Sequence, residues 1–215
     1  MHLKRHAIPK NWPVPRKGTK YVVRPGFNYE FGIPALVVLR DILNLAQNKK
    51  EVKRAIFLKN ILVNNKPLKD EKHSVLLFDT ISIVPMKTYY RLTIGTNGKF
   101  NMEEISEKES TKKIAKIIDK KTLKGKNTQL NFADGKNLIS EIKCNTNDSA
   151  VIDFTGKKIE KIIPLKEKSK VFVYSGKHTG KTGEVKTIDA KDKTAEVSFE
   201  DGDVKVLIKQ LIVIE

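Results

Sequence analysis

The residues of this chain that could do covalent chemistry do not assemble into a reaction centre. The histidines His2, His6, His73 and His178 signal neither a catalytic triad nor a zinc site, and no serine or cysteine stands in a nucleophile-elbow setting. Cys144 is the only cysteine, which rules out an internal disulfide and a zinc site built on paired cysteines, and leaves packing as its expected role. The run Gly176-Lys177-His178-Thr179-Gly180-Lys181-Thr182 approaches a nucleotide-phosphate loop but has three residues between its glycines where that loop needs four. Aspartates in turn-like contexts, Asp79 and Asp134, are expected to cap backbone N–H groups. No metal, cofactor or small-molecule substrate is expected.

What remains is cationic chemistry, the neutralisation of phosphates. Lys4, Arg5, Lys10, Arg16, Lys17 and Arg24 crowd the first thirty residues, where Glu30 is the only acid and Trp12, Tyr21, Phe27 and Tyr29 are interleaved. Lys49, Lys50, Lys53 and Arg54 fall within about one and a half helical turns. Lys177, His178 and Lys181 ride on a loop with Gly176, Gly180 and Gly183, which are expected to supply positive-φ freedom. That loop reads either as a plain turn or as a tip that meets a phosphate backbone.

Composition supports the second reading. In 215 residues, 42 Lys and Arg oppose 25 Asp and Glu, a formal charge of +17 that repels itself unless a polyanion relieves it. Nucleic acid fits, because each cation placed near a phosphate releases condensed counterions. A membrane is the competing polyanion, but the apolar run at 31–46 is broken by Pro34, Arg40 and Asp41, and no other stretch approaches the ~20 residues of a span. No secretory signal is recognisable, so a cytoplasmic location is expected.

The elements that must position these cations follow from periodicity. Pro9, Pro13, Pro15 and Pro25 block regular helix before residue 30, which predicts an extended basic arm that orders on RNA, with Trp12 and its neighbours stacking on unpaired bases. Leu36, Leu39, Ile42, Leu43 and Ala46 predict a helix from Pro34 to about Ala46, and Val52, Ala55 and Ile56 a second one after Asn48 with a basic outer face. Strands are predicted at 61–63, 80–84 and 89–95, the last closing on an Asn97-Gly98 turn, a strong hairpin signal. The lysines 108, 112, 113, 116, 120, 121, 124 and 126 read as a solvated face. Turns at Asp134-Gly135, 145–148 and 155–157 predict a central barrel of short strands, and Val171, Val173, Val185, Val197, Val206 and Val213 a second small barrel at the end.

Three motifs then point to a family. Residues 170–188 resemble the KOW motif of ribosomal proteins and transcription elongation factors. Residues 50–66 and 78–83 resemble the small RNA-binding domain named after ribosomal protein S4. His2-Leu3-Lys4-Arg5, Pro9-Lys10-Asn11-Trp12, Arg16-Lys17-Gly18 and Arg24-Pro25-Gly26 are similar to the N-terminal signature of the S4e ribosomal proteins of archaea and eukaryotes, where all three motifs occur in this order. Tyr90-Arg91-Leu92, Thr96 to Phe100 and Ala133-Asp134-Gly135 are also family-like. The run 15–24 departs from the family in having few small residues, and the ending at Glu215 lacks the basic tail of eukaryotic members, which implies archaeal-type length.

The resemblance implies an α+β multidomain chain: a basic arm (1–33), an S4-like helical-plus-hairpin RNA-binding domain (34–100), a central β-barrel-like domain (101–167) and a KOW-type β-barrel (168–215). It implies a structural constituent of the small ribosomal subunit that binds rRNA and neighbouring ribosomal proteins and supports assembly and translation. An RNA-modifying enzyme such as a pseudouridine synthase is the rival, but residues 101–167 leave too little chain for an active site beside its own core. A KOW-bearing transcription factor lacks its docking domain here.

Overall fold

The computed structural model describes residues 2–28, 31–123, 127–156, 158–189 and 191–214; Tyr29, Glu30, Lys124, Lys126 and Lys157 lie outside the described residues. The chain is mostly β with short helices and divides into two compact units, Met1–Lys112 and Lys113–Glu215.

In the first unit, β1 (Leu3–Lys4) pairs antiparallel with β2 (Tyr21–Val22). Residues 3–22 are therefore looped back on themselves and are not an extended arm. Strand β3 (Gly32–Pro34) leads into α1 (Ala35–Val37), and the helix at once widens into a π-turn, Val38–Ile42, with the Leu43 N–H donating to Val38 O at 2.9 Å. It ends there and not near Ala46. The left-handed Asn44, at φ 51°, breaks the helical path, a conformation asparagine tolerates better than most residues. Its apolar stretch, Leu36 to Leu39, is nevertheless fully buried.

Helix α2 (Lys49–Phe57) follows as its periodicity predicts, burying Val52 and Ile56. Then come β4 (Ile61–Val63), β5 (Lys66–Pro67), β6 (Ser74–Leu76), β7 (Thr80–Ile83), β8 (Thr88–Ile94) and β9 (Phe100–Glu104). The main sheet runs β5-β4-β7-β8-β9 and β3 pairs with β6. Asn97-Gly98 turns the β8–β9 hairpin, with Gly98 at φ +71°. Because β9 and the short helix α3 (Glu107–Ser110) pack with this unit, it extends past residue 100.

The second unit holds two five-stranded antiparallel sheets. The first is built from β10 (Lys112–Thr122), β11 (Thr128–Phe132), β12 (Asn137–Ser140), β13 (Ser149–Asp153) and β14 (Lys158–Ile163), in the order β12-β11-β10-β13-β14. The second contains β15 (Lys170–Val173), β16 (Thr182–Asp189), β17 (Thr194–Phe199), β18 (Gly202–Leu207) and β19 (Leu211–Val213), in the order β18-β17-β16-β15-β19. Their cores are separate: Ala115, Ile117, Leu130, Phe132, Ala150 and Ile152 in one, with Cys144 packed against it, and a valine-rich cluster around Val171, Val173, Val185 and Val197 in the other.

Strand β10 corrects the solvated-lysine reading. Lys113 and Lys116 are buried. Lys113 Nζ lies 2.8 Å from Asp134 Oδ2, and although burial pushes the Asp134 carboxyl up, the Lys113 charge and hydrogen bond more than reverse that. Lys116 points to the opposite face and donates to Ile208 O (2.5 Å) and Leu211 O (2.9 Å), fastening the first sheet to the second. Ser149 Oγ accepts from Val213 N–H, and Asp148 Oδ1 from Leu165 N–H, along the same seam. Both turn aspartates act on backbone: Asp79 accepts the Leu76 N–H, and Asp134 the Lys136 N–H.

Candidate nucleic-acid interface

The helix that carries the second cation group is defined by its cap. Asn48 Oδ1 accepts the N–H groups of Lys50 (2.9 Å) and Glu51 (3.1 Å), while Glu51 reaches back to Gln47 N–H and the Asn48 amide, satisfying donors that a helix start leaves free. Cations in a first turn oppose the helix dipole, and two carboxylates offset Lys49 and its neighbours. One is Glu51; the other is the buried Glu71, 2.8 Å from Lys49 Nζ and 3.9 Å from Lys53 Nζ. Burial pushes Glu71 up, but the hydrogen bond from Lys49 and nearby donors outweigh it and hold the carboxyl at about 2. Lys50 and Arg54, one turn apart, stay exposed and form no ion pair among the described residues.

The N-terminal cations sit on folded backbone. Lys4 is exposed on β1. Arg5 donates from Nε to Thr19 O (2.6 Å), from Nη1 to Pro15 O (2.6 Å) and from Nη2 to Thr19 Oγ1 (2.8 Å). The Phe100 N–H donates to Asn11 O at 2.8 Å, tying the segment to β9. Trp12 is 2% exposed, so it is a core residue and not a stacking platform; an indole gains more from burial in its own unit than from waiting in water. Among the described aromatics of this segment, Tyr21 and Phe27 are exposed, and Lys20 Nζ lies 5.5 Å from the Tyr21 ring centroid. Arg5, Lys10 and Arg16 line one small cleft together with His6, Trp12 and Lys99. Lys4, Lys17 and Arg24 do not line it, and Arg24 is half-buried with a partner of its own.

In the glycine-rich loop, Gly176 (φ +99°) and Gly180 (φ +86°) take the left-handed backbone expected of them. Gly183 does not. It lies in β16, where an added Cβ would stand 2.4 Å from Ser198 O and 2.7 Å from Val197 Cγ1, so this glycine serves close approach of two strands. Lys177 is exposed, His178 stacks on Phe199 (centroids 5.7 Å, 14° between planes), and Lys181 pairs with Asp201. The hydrogen bond from Lys181 holds the Asp201 carboxyl below its usual range. Lys177 is thus the loop's uncommitted cation.

Periodicity did not point to Lys99 or Glu71 as parts of these groups. Lys99 follows the Asn97-Gly98 turn and reaches the N-terminal cleft only through the tertiary fold. Among the described residues no group of His, Cys, Asp and Glu could hold a metal ion, and no helix is long and apolar enough to cross a membrane.

Residues 86–159 match the model described as ribosomal family S4e. The small ribosomal subunit protein eS4 of Methanocella arvoryzae is 36% identical over 99% of this chain and 93% of its own length, and that of Nanoarchaeum equitans 35% identical over 89% and 83%. The crystal structure of the 30S ribosomal protein S4e from Thermoplasma acidophilum shares the fold, with a TM-score of 0.73 and 24% identity over 85% of this chain and 94% of that one.

Proposed function

The chain belongs to the S4e family of ribosomal proteins, which are structural and not enzymes, and from that membership we propose that it binds small-subunit rRNA and supports subunit assembly and translation. Contact is made through three basic surfaces: the N-terminal segment, α2 of an S4-like module, and the loop of a KOW-type barrel that follows a central β-rich domain. Neighbouring ribosomal proteins complete its environment on the ribosome.

The observation that carries this reading is α2. Lys50 and Arg54 stand exposed and without ion pairs among the described residues, on a helix whose other face is buried and whose start is capped. A rigid element that presents two cations not held in ion pairs suits a phosphate backbone. Lys49 and Lys53 share Glu71 and contribute less.

A filter-binding salt series tests it. Each phosphate contact contributes about 0.7 to 0.9 to the slope of log K against log salt. Changing Lys50→Gln with Arg54→Gln lowers the slope by roughly 1.5, and adding Lys49→Gln and Lys53→Gln lowers it further by less. An unchanged slope in the quadruple variant would mean that α2 faces solvent.

A further inference from the structure

Resting on the rRNA-binding reading, we propose that the N-terminal cleft is a preformed pocket for a single RNA backbone phosphate. Its walls are Arg5, His6, Lys10, Arg16 and Lys99, with Trp12 among them, and its volume is about 100 Å³, several water molecules in size. Among the described residues no carboxylate lines it. Lys10, Arg16 and Lys99 form no ion pair among the described residues. Four cations line it from two stretches of chain, the N-terminal segment and the β8–β9 turn, an arrangement of like charges that repels itself until an anion enters.

Two features make the pocket built and not merely basic. Arg5 is fixed before any ligand arrives: of the five N–H donors of a guanidinium, three are spent on Thr19 O, Thr19 Oγ1 and Pro15 O. What remains is one N–H on each of Nη1 and Nη2, on a guanidinium already held in place. Gly18 closes the other side of that guanidinium, since a Cβ there would stand 3.1 Å from Arg5 Cζ, and its φ of +136° favours glycine. The buried Trp12 and the Asn11–Phe100 hydrogen bond hold the segment against the β8–β9 hairpin that supplies Lys99.

The test uses the full chain and inorganic phosphate, followed by two-dimensional N–H NMR against sodium chloride and sodium acetate at matched ionic strength. Trp12 is the only tryptophan, so its indole signal reports this pocket alone. Phosphate is expected to shift the amide signals of His6, Lys10, Arg16 and Lys99 and the Trp12 indole saturably, beyond either control. Arg16→Gln with Lys99→Gln abolishes that shift, and Gly18→Ala weakens it with no change of charge. In rRNA binding, the double variant lowers the salt slope by about one and not two, because both cations serve one phosphate.

Identical responses to phosphate and chloride overturn the proposal whatever the RNA data show, and equal saturation by acetate assigns the pocket to carboxylates and overturns it too. An additive slope loss of two means separate phosphates and removes the convergence. If the wild-type chain fails to bind rRNA at all, the functional reading falls, while the phosphate titration of the free protein still decides the pocket.

Discussion

Gly183→Ala offers a sharp separation between two reasons for a glycine. In the loop 176–183, conformational freedom and close packing predict different costs. At Gly183 the backbone is not left-handed, yet an added methyl would meet Ser198 O at 2.4 Å, Val197 Cγ1 at 2.7 Å and Phe199 Cδ1 at 2.9 Å. Ser198 pairs with Glu184 in the β16–β17 ladder, so its carbonyl can retreat only by opening the sheet. Overpacking of this kind costs about 1–3 kcal/mol, and the backbone contact places Gly183→Ala at the upper end. For a unit of about one hundred residues, roughly 3 kcal/mol lowers Tm by on the order of 10–20 °C. Gly98 is the control: a Cβ there meets nothing within 4 Å, and only φ +71° opposes it, a cost of about 1 kcal/mol. Urea melts of the two variants, followed by far-UV circular dichroism, decide the matter. If Gly183→Ala costs no more than Gly98→Ala, the strand contact is not what requires the glycine.

Lys116 gives a pH dependence. Burial lowers its pKa from 10.5 to about 8, so between those values the unfolded chain holds the proton more tightly and stability rises with pH, by at most about 3 kcal/mol; Lys116→Met flattens that rise, and a melt series equally steep in the variant contradicts the assignment. In hydrogen exchange, the Arg5 and Phe100 amides, bonded to Lys20 O and Asn11 O, are protected in the free protein, and exchange at random-coil rates would restore an unstructured arm. Asn48→Ala removes two cap hydrogen bonds and destabilises the first unit by about 1 kcal/mol, measurable as a shifted urea midpoint; no shift would mean that the cap is replaced by water.

Much of this architecture was legible because local signals and the fold agree. Asn48 with Val52 and Ile56 marks α2, Asn97-Gly98 marks the β8–β9 hairpin, and apolar alternation, Val171 with Val173 and Val197 with Phe199, marks β15 and β17. Most of the misreadings share one cause, which is partners distant in sequence. Trp12 looked like a stacking residue because its segment is proline-rich and basic, and nothing nearby announces that Phe100 ties that segment down. Lys113 and Lys116 looked solvated because Lys is so rarely buried unless paired, and their partners stand 21 and more than 90 residues away. The helix after Pro34 stops early because Asn44 turns left-handed, a choice its apolar periodicity does not encode. Of the candidate interface, the cations were readable, but their commitments to Glu71, Asp201 and the carbonyls around Arg5 were not.

If rRNA phosphates hold this chain in the small ribosomal subunit, its association must loosen with salt. Tagged chain expressed in an archaeal host, with the lysate sedimented through gradients at low salt and at ~0.5 M salt, measures it most directly. Cosedimentation with small-subunit rRNA is expected at low salt, retained in part at the higher salt, and reduced when Lys50 and Arg54 are neutralised together. Chain that remains on RNA polymerase while small subunits lack it would contradict the account.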